Sequence, residues 1–216
     1  MPARRHRALR AGGVIGLCTD ASALYALGVS THDPPKMPLL KSAFDWAAVW
    51  HKNQYRKYPV VLVPYMSHVA GVAAILSRHG FDEEVVAAGA LHDVMEDCGV
   101  THADLVARFG ARVADLVRHV SEQDKALSWE DRKRLYLEHF SEKPWEAQAI
   151  TLADKIDNLE SIVVCAVSHG DPWKMFKRGR DVQISRFEEL AERASRLPAH
   201  PLVAEYERAL ANVVAL

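Results

Sequence analysis

The stretch Leu91-His92-Asp93-Val94-Met95-Glu96-Asp97 decides how this chain is read. It closes an apolar run, Val85-Val86-Ala87-Ala88-Gly89-Ala90-Leu91, made of good helix formers without proline. The run predicts one helix over residues 82–97. At about 100° per residue, His92, Asp93, Glu96 and Asp97 then fan over roughly 140° of one helix face. An imidazole and three carboxylates beside a segment apolar enough to be buried are costly unless something compensates them. A metal ion does so directly, with neutral imidazole and ionised carboxylate as ligands and other acids left to handle a water. The competing reading is a solvated charged helix face, and four such groups together argue against it.

Outward from this stretch the pattern is helical almost throughout. Leu40, Phe44, Ala47 and Ala48 recur at helical spacing, and the segment continues through Trp50 to Arg56. Tyr58-Pro59-Val60-Val61-Leu62-Val63-Pro64 is β-branched and bracketed by prolines, which predicts an extended connector or short strand. Tyr65 to Ser77 reads as a helix, with Val69, Val72, Ala73 and Leu76 apolar and Gly80 as the stop. Thr101-His102-Ala103-Asp104 is a capping signal for a short helix ending at Phe109-Gly110. Further helices are expected at 111–121, 128–140, 145–168, 181–196 and 201–214. Ser128 and Ser141 are the expected caps, and Pro144, Gly170-Asp171-Pro172 and Pro198 the breaks. The fold class is all-α, one domain.

Composition narrows the function classes. At 216 residues, 49% hydrophobic and 25% charged, the chain suits one soluble globular domain. A net charge of −1 gives no case for a nucleic-acid partner. No apolar run approaches the length of a membrane span. Cys18, Cys98 and Cys165 have no CxxC spacing, so neither a disulfide framework nor a thiolate zinc site is expected, and a cytoplasmic home is.

Residues 1–36 differ from the rest. Arg4, Arg5, Arg7 and Arg10 precede a weakly apolar stretch from Ala11 to Val29, as in a signal peptide. Asp20 interrupts that stretch, no small-x-small cleavage site follows, and Leu17 fits poorly before Cys18 in a lipoprotein signal. The expectation is a loosely ordered extension over 1–36 and a working domain over 37–216.

One helix seldom completes a metal site, and two other segments offer donors. His68 lies one turn into the helix after Pro64-Tyr65, although a lone histidine there is commonly a packed core residue. Asp154 and Asn158 share a face of an apolar helix at i, i+4, with Asp154–Lys155 as an alternative ion pair.

The order His68 … His92-Asp93 … Asp154 resembles that of the HD-domain metal-dependent phosphohydrolases. His51-x-x-Gln54-x-Arg56-Lys57, Pro64-Tyr65-x-x-His68, Leu91-His92-Asp93-x-x-Glu96-Asp97, Phe109-Gly110 and Ala153-Asp154-Lys155-x-x-Asn158 narrow the match. Together they resemble the hydrolase domain of RelA/SpoT-type alarmone enzymes, whose stand-alone forms are the small alarmone hydrolases, including the metazoan SpoT homologue. The resemblance covers about residues 40–165.

It implies a single HD-domain helical bundle holding one divalent metal, Mn²⁺, on His68, His92, Asp93 and Asp154, a mixed N/O set suited to that ion. Glu96 and Asp97 would orient and deprotonate the attacking water, whose pKa the ion lowers. The attack would fall on the distal phosphorus of a nucleotide 3′-diphosphate and release pyrophosphate. Arg56 and Lys57 would pack on the base and Asn158 would contact the sugar-phosphate, while His51 and Gln54 shape that wall.

Two departures from the family stand out: the long apolar link Tyr58–Val63, and Asp157, where the family often has histidine. Asp157 is expected to add negative charge near the site and weaken polyphosphate binding. Trp173-Lys174-Met175-Phe176-Lys177-Arg178-Gly179-Arg180 reads as a phosphate-gripping rim through Lys177 and Arg180, or equally as a solvated basic helix end.

The implied activity is a metal-dependent (p)ppGpp 3′-pyrophosphohydrolase giving GDP or GTP and pyrophosphate. The chain after residue 165 is too short for a synthetase domain, so degradation alone is expected. The alternatives are the same site acting on (p)ppApp or as an NADPH 2′-phosphatase, and a catalytically silent nucleotide-binding module. The intact set of ligands and water-activating acids speaks against the last.

Overall fold

The computed structural model describes residues 38–121 and 126–216, so the expectation for residues 1–36 lies outside the described part. The helices are α1 (Leu39–Trp50), α2 (Met66–Arg78), α3 (Glu83–Ala90), α4 (Val94–Asp97) and α5 (His102–Phe109). They continue with α6 (Ala111–Val120), α7 (Trp129–Glu138), α8 (Trp145–Ser168), α9 (Gly179–Ala194) and α10 (Pro201–Val214). Short 3-10 turns occupy His139–Glu142 and Pro172–Met175. The fold is all-α, and the β pairing among the described residues is one antiparallel bridge, Tyr55 to Pro64.

α8 is the axis of the domain. Its first half, Ala147 to Asp154, is buried on every side, as expected of a helix apolar all round. Ile150, Leu152, Ile156, Leu159 and Ile162 are fully enclosed, each contributing about 1.5–3 kcal/mol by burial. α2, α3, α6 and α10 pack around it. α3 is short and buried from Val85 to Ala90, with its N-terminus held by Asp82, whose carboxylate accepts from the Val85 amide. It approaches α2 closely because residue 89 is glycine: a methyl there would overlap Leu76 Cδ1.

The single helix expected over 82–97 is divided. α3 ends at Ala90, Leu91–Asp93 form a turn, and α4 restarts at Val94. The Gly89 carbonyl, which a continuous helix would offer to the Asp93 amide, instead accepts from His92 Nδ1 at 2.8 Å. The Val94 amide reaches back only three residues, to Leu91. The break therefore follows from the histidine ring competing for a backbone carbonyl.

The first helix stops at Trp50 rather than running to Arg56, and the link after it forms an extended loop. The Arg56 amide donates to the Val63 carbonyl at 2.8 Å and the Tyr65 amide to the Gln54 carbonyl at 2.9 Å. Thr101 and Asp104 make a reciprocal capping box, and Ser128 accepts from the Asp131 amide. Ser141 caps no α-helix; it falls inside a 3-10 turn, and α8 starts behind Pro144. No helix among the described residues is long and apolar enough to cross a membrane.

Candidate metal centre and active site

Three elements deliver donors to one point. α2 supplies His68, the turn after α3 supplies His92 and Asp93, and α8 supplies Asp154. His68 Nδ1 donates to Asp157 Oδ2 at 2.5 Å, and His92 Nδ1 donates to the Gly89 carbonyl. Both rings are thereby fixed with their Nε2 lone pairs turned inward, 3.2 Å apart. Asp93 Oδ2 stands 2.9 Å from His92 Nε2 and 3.8 Å from His68 Nε2. Asp154 Oδ1 stands 3.4 Å from His68 Nε2 and 3.9 Å from His92 Nε2.

Two ligand atoms each about 2.1 Å from a common centre lie about 3 Å apart at right angles, so these separations suit one shared ion. His68, His92 and Asp154 are buried together, and facing lone pairs in a buried site need a positive charge between them.

The electrostatics make the same demand. Burial pushes the Asp154 carboxyl up, but Lys155 and the two imidazoles outweigh it and hold the group well below the usual carboxylate range. Burial depresses His92, yet Asp93 and Asp154 outweigh it and lift the ring to about 9, so that without a cation a proton on Nε2 takes its place. Both acids remain ionised, as ligands must.

Glu96 and Asp97, on α4, sit beside this centre. Burial, then the neighbouring Asp93 carboxylate, pushes the Glu96 carboxyl above its ordinary range. Asp97 Oδ2 accepts from Gln54 Nε2 at 2.6 Å, and Gln54 Oε1 accepts from His51 Nδ1 at 2.7 Å. His51 and Gln54 thus form a chain that aims an acid, and Gln54 also lines the recess beside it. The Tyr65 hydroxyl donates to Asp93 Oδ2. Sequence reasoning gave Tyr65 no role; its position between Pro64 and His68 was the available signal.

The centre forms part of the floor of a cavity of about 590 Å³, lined also by Lys57, Lys133, Tyr136, Lys155, Lys177 and Arg186. A second recess of about 460 Å³ shares Lys57, Tyr65, Asp97, Asn158 and Phe176 with it and adds Gln54, Arg56, Tyr58 and Ser161. Arg56 Nη2 donates to Asn158 Oδ1 at 3.0 Å and Ser161 Oγ at 2.8 Å. The Asn158 amide donates in turn to Asp154 Oδ1.

Lys177 reaches the cavity, but Arg180 lines neither space. Its guanidinium lies over Trp173 and donates to the Val214 carbonyl at 3.0 Å, so of the two residues expected in the rim Lys177 remains, with Arg178 beside it in the cavity lining. Asp157 is not the loose negative charge that the sequence suggested, because it is bonded to His68.

Lys133 of α7 and Arg186 of α9 were missed. Neither lies in a motif that marks it among the chain's other basic residues. Burial, then Lys155, lowers the Lys133 ammonium to about 8. Arg186 Nε is buried with no hydrogen-bond partner among the described residues.

The family profile described as HD domain matches residues 43–182. This chain belongs to the HD-domain family. The family implies a divalent metal, and His68, His92 and Asp154 are a group that could hold one. The Drosophila melanogaster protein named guanosine-3′,5′-bis(diphosphate) 3′-pyrophosphohydrolase MESH1 is 42% identical over 122 residues, 56% of this chain and 67% of that protein. The solved structure of a metazoan ortholog of SpoT, described as hydrolysing ppGpp, superposes with a TM-score of 0.71 at 31% identity. It covers 83% of this chain and 98% of the other. The HD-domain chain also resembles the solved lmo0812 of Listeria monocytogenes, with a TM-score of 0.64, 40% identity, and 69% and 99% of the two chains covered.

Proposed function

We propose that this HD-domain protein is a Mn²⁺-dependent hydrolase that removes the 3′-pyrophosphate of (p)ppGpp, giving GDP or GTP and pyrophosphate. The observation that carries the reading is the convergence of His68, His92, Asp93 and Asp154, with Glu96 and Asp97 beside them, in one cationic cavity. The relative named as a 3′-pyrophosphohydrolase of this nucleotide supplies the substrate class.

His68, His92, Asp93 and Asp154 would hold the ion, two nitrogens and two oxygens being a set that suits Mn²⁺. A divalent ion there supplies positive charge to a phosphate and acidifies water in the site.

Releasing pyrophosphate intact requires attack on the phosphorus bonded to the 3′ oxygen. Attack on the distal phosphorus, expected from sequence, would give orthophosphate instead and is set aside. Water's oxygen joins the proximal phosphorus, the bond from that phosphorus to the 3′ oxygen breaks, and the 3′ oxygen takes up a proton. Glu96, whose carboxyl burial and Asp93 raise above its ordinary range, is suited to take the proton from water and return it to that oxygen. Asp97, aimed by Gln54, orients the water.

Lys133, Lys177 and Arg186 would balance the charge of the phosphates. Arg56 and Asn158, bonded to each other, would face the nucleoside from the adjoining recess. Free thiols at Cys98 and Cys165 fit a reducing cytoplasm.

The test is product analysis on the chelator-stripped chain with and without Mn²⁺, offering ppGpp, ppApp and NADPH separately. Pyrophosphate is expected from ppGpp only with metal, and lost in a Glu96→Ala, Asp97→Ala double variant. Turnover of NADPH or ppApp alone would replace the substrate. Metal binding without any turnover would point to a silent nucleotide-binding module.

A further inference from the structure

We propose that Asp157 is a positioning residue for the metal centre, and that Gly71 is the space its carboxylate needs. The inference rests on the divalent-metal reading of the site but on no particular substrate.

His68 can serve a cation through one nitrogen only if the other carries the proton. The group that decides this is Asp157, one helical turn beyond Asp154 on α8, which accepts from His68 Nδ1 at 2.5 Å. A carboxylate partner fixes both the tautomer and the ring plane, and it makes the other nitrogen a stronger donor to a cation. The same Oδ2 lies 3.6 Å from Arg56 Nη2, so the carboxylate is held from two sides.

Gly71 sits three residues after His68 on α2, on the same helix face. A methyl at Gly71 would overlap Asp157 Oδ1 and lie 2.9 Å from its Cγ. Glycine is a poor helix former, and this one lies in the helix interior with no positive φ to explain it. The space it leaves is filled by the Asp157 carboxyl. Alanine at 71 can be accommodated if the carboxyl swings away, which breaks the bond to His68.

The experiment is Mn²⁺ titration calorimetry of the chelator-stripped full chain, with no nucleotide present. Asp157→Ala is expected to weaken Mn²⁺ binding about ten- to a hundredfold. Asp157→Asn, which retains an acceptor but no charge, should fall between it and the parent. Gly71→Ala should weaken binding by a similar factor, with the helix preference of alanine, about 1 kcal/mol, offsetting part of the stability lost with the His68 bond. The double variant should bind no worse than Asp157→Ala alone, since the glycine acts only through the carboxylate.

Mn²⁺ affinity within twofold of the parent in Asp157→Ala would overturn the proposal. So would additive losses in the double variant, or a raised KM with unchanged metal affinity, which would assign Asp157 to Arg56 alone. Should Asp157→Ala fail to fold, Gly71→Ala decides by itself: unchanged Mn²⁺ affinity overturns the proposal. If the nucleotide is misidentified, turnover tests fail while these metal affinities still follow the pattern.

Discussion

The metal centre and the nucleoside-side recess adjoin each other and share Tyr65, Asp97 and Asn158, yet they are held in opposite ways. His68, His92 and Asp154 have side chains only 1%, 4% and 11% exposed, and every donor is tied by a further partner. Asp157 holds His68, the Gly89 carbonyl holds His92, Tyr65 holds Asp93, and Lys155 and Asn158 hold Asp154. The recess is walled on one side by Tyr55, Arg56, Lys57 and Tyr58, the start of a loop whose Val60 and Leu62 are 72% and 76% exposed. Under the proposed function, the reaction falls to the centre fixed from every side and the choice of nucleotide to the wall carried on an exposed loop.

That contrast can be broken at either end. The largest effect is expected at Glu96. Glu96→Gln should retain Mn²⁺ in calorimetry and lose about 10²–10⁴-fold in kcat, the usual worth of a positioned general base. Loss of metal binding instead would move Glu96 into the ligand set.

Next comes the chain that aims Asp97. A hydrogen bond to a charged group contributes about 1.5–3 kcal/mol, so Gln54→Ala should cost about ten- to a hundredfold in kcat. KM should change little, and a pure rise in KM would make Gln54 a nucleoside contact.

A smaller effect is a pH dependence of binding. Lys133 has an ammonium lowered to about 8, so its charge is present below that pH and lost above it. In the free protein kcat/KM should therefore fall as pH rises through about 8. Lys133→Arg should abolish this limb with most activity kept, because its charge does not titrate in the range. A limb that survives in Lys133→Arg belongs to another group.

The smallest effects are expected in the loop. Val60→Ser and Leu62→Ser should leave thermal stability within about 0.5 kcal/mol, since both side chains are exposed. The ratio of ppGpp to ppApp turnover should stay the same in both, since neither side chain lines the recess, whereas Tyr58→Ala, at a side chain that does, should shift it a few-fold. An unchanged ratio in Tyr58→Ala would remove the loop from selectivity.

Much of this was legible in the chain itself. The span of α8 was readable because proline and glycine bound an apolar stretch too long for a strand, and the capping box at Thr101 marked α5. The donors His68, His92, Asp93 and Asp154 carry a recognisable order. The break at Leu91–Asp93 was not legible, because Ala, Leu, His and Asp are all compatible with helix there. The choice was made by one ring taking one carbonyl. The pairs Gln54–Asp97 and His68–Asp157 lie 43 and 89 residues apart, so only the folded chain reveals them. Arg180 failed for a related reason: a basic run shows charge, but not which guanidinium faces the cavity and which caps a neighbouring carbonyl.

The central claim is that this centre directs water to the phosphorus on the 3′ oxygen. The most direct measurement is hydrolysis of ppGpp in ¹⁸O-labelled water by the Mn²⁺-loaded chain, with the products weighed by mass spectrometry. One label is expected in pyrophosphate and none in GDP. Label on the nucleoside, or orthophosphate as the first product, would contradict it.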